Sequence, residues 1–402
     1  MKRSFNTIKA GILILIIAIL SIITVIKIKP NKKFTNTSTP PIQENIPKEK
    51  LPYNSQNKDL INYNTIGGSG NETLHNVHFR DYYYVIFSTN SIDYDFKANK
   101  GDSLFISKVD NNNTILDTIV IGNFIYKDSL IGDFLTVLVE REILYMDLDL
   151  NIIKKQSLDN MCSRLIQYNN KIYTYCENQG VIINVDNLSQ FNLQTNNFKL
   201  TNTYNLNNDL YMFFQGDYEL IVLKFDGETF YEIISLIADS IVGINLLNNE
   251  FFVASINDNN FIITKIDMFG NIGFVYETGF NKCNYFYVIK KTNGYTIYMC
   301  DKIQAIKIFV CLHGDLIKST NLEYKSLYKT INYTDSYVVV AETIANNASL
   351  LINDKEIIIN GGVIKNAIFM TNNMLFCQSD GSNIDFIENH GKSDIFIFKL
   401  NI

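Results

Sequence analysis

The chain of 402 residues has no Trp, only four His, and five Pro that all fall between Pro30 and Pro52. Charged residues make up 19%, too few for a disordered chain when 47% are hydrophobic. No G-x-S-x-G elbow, H-E-x-x-H pair, P-loop or dinucleotide fingerprint occurs, so the readable signatures of hydrolysis, metalloproteolysis and nucleotide binding are missing. His75 and His78 stand three apart with no third ligand at metal spacing, which favours packed or solvated roles over a metal site. The six Cys include no C-x-x-C and no paired spacing. Cys176, Cys300 and Cys377 end similar strands (IYTYC, TIYMC, MLFC), so they are expected as buried free thiols, and disulfides between distant blades are not expected.

Charge is unevenly spread. Residues 1–59 hold ten Lys and Arg against three acids, a net +7, and the rest of the chain carries −13. An acidic body repels phosphate backbones, so no nucleic-acid partner is expected. Within the basic head, residues 10–26 (AGILILIIAILSIITVI) form an uncharged run of 17. A helix of that length covers about 25 Å, close to one hydrocarbon core. The run is long, no small-x-small cleavage site follows it, and no Cys follows for lipid attachment. The sequence therefore predicts a short basic head at 1–7 and an uncleaved single-pass signal anchor at 8–27 rather than a cleaved signal peptide. Bases flank both sides, leaving the positive-inside rule nearly silent; the N-terminal position of the anchor predicts an exported body at the cell surface. Residues 28–59 combine all the prolines with Thr, Asn, Lys and Gln and read as a disordered stalk.

From residue 60 onward proline vanishes, and short runs of Ile, Val, Phe and Tyr alternate with Asn, Asp and Gly. This is strand-and-turn text. An apolar strand ending in a polar turn recurs as FISKVD, ILYMD, VIINVD, VLKFD, ITKID, IFVC, LLIND and IFKLN. The turn positions are 110, 147, 186, 226, 267, 311, 354 and 401. That spacing is the length of a four-stranded propeller blade. Earlier in several units the pattern apolar–Asn-Asn–apolar (165–176, 203–214, 244–255) predicts antiparallel hairpins on tight turns. Together these predict an all-β propeller of four-stranded blades over 60–402, with eight blades favoured over seven plus an insertion. The absence of Trp makes Trp-Asp and quinoprotein-type repeats poor fits.

Residues 66–110 carry Gly67, Gly68, Ser69, Gly70 and Glu72, then Ser91, Asp93 and Asp95, then Gly101, Lys108 and Asp110; the last unit has Gly391, Asp394, Lys399 and Asn401. These two units resemble the repeat of bacterial secreted and cell-surface β-propellers of the SBBP type, with its GGSG opening and G-x-x-D-x-x-x-x-K-[LI]-D close. The middle units lack the GGSG opening. The resemblance implies that 60–66 is the outer strand of a preceding blade. No complete blade precedes it, so it is expected to complete the last blade and close the ring, removing an exposed sheet edge.

Two units have long loops where the others turn tightly, SIDYDFKANKGD at 91–102 and DGSNIDFIENHGKSD at 380–394. In a closed ring they are neighbours on one face. This predicts a patch of Asp93, Tyr94, Asp95, Phe96, Asp385, Phe386, Glu388 and His390, suited to a cation, a sugar-like ligand or a peptide. Clusters such as 110–113 and 257–260 lack the oxygen ladder of a calcium loop and read as turns; no metal or cofactor is expected. The favoured function is a bacterial, membrane-anchored, monomeric surface propeller that binds or scaffolds protein or glycan ligands without catalysis. Two alternatives stand beside it, an extracytoplasmic hydrolase or lyase at the channel mouth and an assembly factor for envelope proteins.

Overall fold

The structure is a computed structural model. It describes residues 60–402 apart from 93–100, 194–196, 280–282, 302–303, 329, 333–337, 344–346, 353–354, 360–363, 380–382, 385–386, 389–392 and 401–402. These residues form eight antiparallel four-stranded sheets, with one short strand added to the last. In chain order the blades are 72–122, 126–157, 164–192, 199–237, 240–277, 285–322, 324–359 and 364–400. The eighth is completed by Leu60–Ile66, which pairs antiparallel with Asp394–Leu400, Leu60 facing Leu400 and Ile66 facing Ile395. The expected eight blades and the ring closure by the first strand are both present. The stretch Thr330–Asn332 adds a short parallel partner to the inner strand of blade 8, a feature with no signal in the sequence. Among the described residues no helix is long and apolar enough to cross a membrane; the predicted anchor at 8–27 lies outside them.

The apolar runs are continuous because the second and third strands of each blade are covered on both faces. Tyr83–Phe87 and Leu135–Val139 are buried at every position. A strand sandwiched between two neighbours needs no polar face. The buried side chains gather into eight clusters, one at each junction between successive blades. Tyr83, Phe87 and Phe105 of blade 1 pack on Phe376, Ile395 and Ile397 of blade 8. Tyr211 and Phe213 of blade 4 meet Phe251 and Val253 of blade 5. With no Trp available, Tyr supplies both bulk and a polar tip. Tyr84 donates its hydroxyl to the Leu148 carbonyl of blade 2 at 2.8 Å, and Tyr83 donates to the Thr371 carbonyl of blade 8 at 2.9 Å.

The turns follow from the asparagines. Asn169–Asn170, Asn207–Asn208 and Asn248–Asn249 all have positive φ between 47° and 65°, the conformation that a two-residue hairpin requires and Asn tolerates. The acidic turns after the third strands of blades 1, 2, 4 and 5 are closed by the acid itself. Asp147 Oδ1 accepts the amides of Asp149 and Asn151, and Asp267 Oδ1 accepts those of Phe269 and Asn271. At 110–113, one of the clusters expected to be a turn, Asp110 Oδ1 accepts the Asn112 and Thr114 amides in the same way.

The inner strands line a channel and are stitched by side chains that cross from blade to blade. Several carry a bulge just before Asn76, Asp128, Asn202 and Asn366 among others. The bulge re-aims a polar side chain toward the neighbouring strand. Asn366 Nδ2 donates to the Leu74 carbonyl at 3.0 Å, and Asn76 Nδ2 to Ser129 Oγ at 3.2 Å. Asp128 Oδ2 accepts the Leu165 amide at 3.0 Å. The polar groups of the inner strands are thus largely consumed in holding the ring together.

Candidate binding site

Of the patch expected from the two long loops, Asp93, Tyr94, Asp95, Phe96, Asp385, Phe386 and His390 lie outside the described residues. Glu388 is placed only as part of a short backbone pairing between Asn383–Ile384 and Ile387–Glu388. The roots of the two loops do meet. The Glu72 amide donates to the Ser393 carbonyl at 3.1 Å, and Ser91 Oγ donates to Glu72 Oε1 at 2.5 Å. Both loops join the second to the third strand of their blades, so they leave the ring on the same face.

The channel near blades 1 and 2 holds the two histidines. His75 stacks on Tyr126 with ring centroids 4.6 Å apart, and its Nε2 lies 2.6 Å from Ser88 Oγ. His78 Nε2 lies 2.8 Å from Ser129 Oγ, which also meets the Tyr126 hydroxyl at 2.8 Å. Burial pushes both imidazoles down to about 4, so they are neutral near pH 7. A serine beside a histidine is the first requirement of a nucleophile and base. Ser129, however, is only 2% exposed and is engaged by Asn76, His78 and Tyr126 together, which makes it a bracket between two blades. Of the packed or solvated roles expected for His75 and His78, the structure shows the packed one. Burial also raises the Asp128 carboxyl, while the Leu165 amide and Arg164 act against that rise.

A concavity lies on the opposite face from the long loops, where the first and third turns of each blade emerge. It is a groove of about 860 Å³ centred between blades 2 and 3, within the size range of ligand sites. Phe79, Ile131, Phe134, Ile153 and Ile172 form apolar walls, and Arg80, Asp133, Lys154 and Asp186 stand at its charged margin. Phe134 is 46% exposed and Ile153 is also exposed. Arg80 is fixed beside the groove by the Gly132 carbonyl and by Asp133 at 3.4 Å. In the groove wall sits Tyr145, 9% exposed, whose hydroxyl is buried with no hydrogen-bond partner among the described residues. Lys154 Nζ lies 5.0 Å from its ring centre. Burial, with the Asp186 charge second, pushes the phenol up to about 12, so it stays a donor at any ordinary pH. A buried donor without an acceptor carries a desolvation cost that a ligand carbonyl can remove. The sequence signalled none of this, because the lining comes from turns and strand ends of three blades.

The cysteines require one correction. Cys162, just before blade 3, forms a disulfide with Cys176, which was expected to be free. They pack in one cluster on the same side of the sheet. Cys283 and Cys300 hold a similar place in blade 6 but belong to clusters on opposite sides, and both remain thiols. Strand-end similarity alone could not show which side each Cys faces. The free-thiol expectation does hold for Cys300 and Cys377, both buried. Burial pushes the Cys300 thiol up to about 12 and Cys377 further in the same direction, which makes them inert.

No protein-family model matches the chain, and no curated protein matches it in sequence. Solved structures do. BamB from Moraxella catarrhalis is similar at a TM-score of 0.52 and 10% identity, covering 84% of this chain and 97% of its own. Dihydro-heme d1 dehydrogenase NirN, in complex with DHE, gives a TM-score of 0.52 and 10% identity over 74% of this chain and 72% of its own. At such identity the likeness is one of fold. The β-propeller is a scaffold that suits a binding role and also hosts enzymes, so the site rather than the ring must decide.

Proposed function

We propose that this protein is a single-pass membrane protein that displays its propeller outside the cell and docks a protein partner in the groove between blades 2 and 3. The observation that carries the reading is the groove itself, with exposed Phe134 and Ile153 around a buried, unpartnered Tyr145 hydroxyl and a charged rim. An apolar centre with an aromatic anchor, ringed by Arg, Lys and Asp, is the anatomy of a protein interface. Export is supported by the Cys162–Cys176 disulfide, since such bonds persist in oxidising compartments, and by the apolar run at 10–26.

A non-catalytic role is favoured because the histidines and Asp128 of the channel are occupied in holding blades together. Protease shaving of intact cells tests the placement. Release of peptides from 60–402 supports display outside, and protection until lysis contradicts it. Phe134→Asp tests the groove. It is expected to lower the yield of co-purified partner at least about tenfold, in line with loss of an interface anchor. An unchanged yield removes the groove from the account.

A further inference from the structure

Glu72 opens the inner strand of blade 1 and Asp394 opens the third strand of blade 8; the two side chains are hydrogen-bonded to each other where the ring closes. Both residues are 0% exposed. Glu72 Oε1 accepts Thr89 Oγ1 at 2.7 Å and Ser91 Oγ at 2.5 Å, whereas Oε2 is buried without a partner among the described residues. Backbone surrounds the pair. The Glu72 amide donates to the Ser393 carbonyl, and Ser393 Oγ donates to the Glu72 carbonyl at 2.6 Å. Gly67 lies so close that a Cβ there would collide with the Asp394 carboxyl. The elements packed here contribute Thr89, Ser91, Gln378 and Ser393, none of them ionisable, so Asp394 is the one titratable group facing Glu72 among the described residues.

Two carboxylates in contact away from water cannot both stay ionised; one must be neutralised by a proton or a cation. A cation needs several further oxygen ligands. Among the described residues no third acidic, His or Cys side chain joins the pair, and the Gly67 backbone fills the space beside Asp394. We propose that Glu72 and Asp394 form a proton-binding site in which one shared proton latches blade 1 to blade 8. Burial is the main cause that lifts Glu72 from 4.5 to about 7, opposed by the Ser91 and Thr89 hydroxyls and reinforced by the charge of Asp394. A folded value above the unfolded one means that the latch contributes its full stability below about pH 4.5 and loses it as pH rises through about 7. Above that range two like charges face each other at the feet of the loops 91–102 and 380–394, and the seam between the first and last blades loosens.

The test uses the full chain in detergent micelles, following thermal unfolding and backbone hydrogen exchange from about pH 5 to about pH 8. Glu72→Gln keeps the hydroxyl contacts and removes the titration. Its stability relative to wild type is expected to rise with pH, up to tenfold in the unfolding constant per pH unit, and to level off above about 7. Peptides covering 64–79 and 393–400 should lose protection with rising pH in the wild type but not in this variant. Asp394→Asn, which removes the second carboxyl and leaves Glu72, should shift in the same direction and serves if Glu72→Gln fails to fold. A constant gap between each variant and wild type across the pH range overturns the proposal. So does restoration of the wild type alone by millimolar calcium at high pH, which would assign the pair to a cation.

Discussion

Leu60 faces Leu400 across an antiparallel pair, so the first and last strands of the described chain lie side by side in blade 8. The ring is thus closed by the strand at 60–66, and the last blade has no independent outer strand. Stability should depend on this joint. Ile66 of the closing strand is buried among Leu74 and Val77 of blade 1 and Ile395 of blade 8. Ile66→Ala is expected to cost about 2–4 kcal/mol in urea unfolding, the range for a buried aliphatic truncation. A cost near zero would mean that the ring does not need its closing strand.

The disulfide gives a second expectation. Cys162 and Cys176 are 14 residues apart, and closing a loop of about that size is worth about 3 kcal/mol through the unfolded chain. Replacing both by Ser should lower stability by that order. In protein isolated from cells and denatured without reductant, a thiol-reactive polymer should label Cys283, Cys300, Cys311 and Cys377, and reduction should add the remaining two. Labelling of all six before reduction contradicts the bond and weakens the argument for export.

The histidines predict acid sensitivity. His75 and His78 titrate near 4 in the folded protein against 6.5 for a free imidazole. The unfolded chain therefore takes up protons first as pH falls. Stability is fully present above about 6.5 and is lost between 6.5 and 4. Urea midpoints in that interval should fall with a shallower slope in the His75→Gln, His78→Gln double variant. Equal slopes would show that neither imidazole is held neutral.

Much of the ring was readable because its code is local. Third strands ending in Asp147 or Asp267, and Asn pairs such as Asn207–Asn208, fix turns through their own backbone and side-chain chemistry, and they repeat at blade length. Closure was readable because the last unit shows three strands and a spare strand at 60–66 stands before the first unit. The groove was not, since Phe79, Phe134, Tyr145 and Ile172 come from three blades and share no motif. The disulfide was missed for a related reason. Whether Cys162 and Cys176 point to one side depends on register, and the sequence gives spacing only. Glu72, Ser91 and Asp394 stood out through the resemblance of the end units to SBBP-type repeats, yet their contact became visible only once blades 1 and 8 were joined.

The claim that a partner docks between blades 2 and 3 is tested most directly by site-specific photo-crosslinking on intact cells. A photoreactive residue in place of Phe134, in the groove, is compared with one in place of Tyr218, which is 75% exposed on the opposite face. One discrete protein adduct is expected from position 134 that disappears with Tyr145→Ala, and none of that mass from position 218. Equal adducts from both faces, or an adduct at 134 that Tyr145→Ala leaves intact, would contradict it.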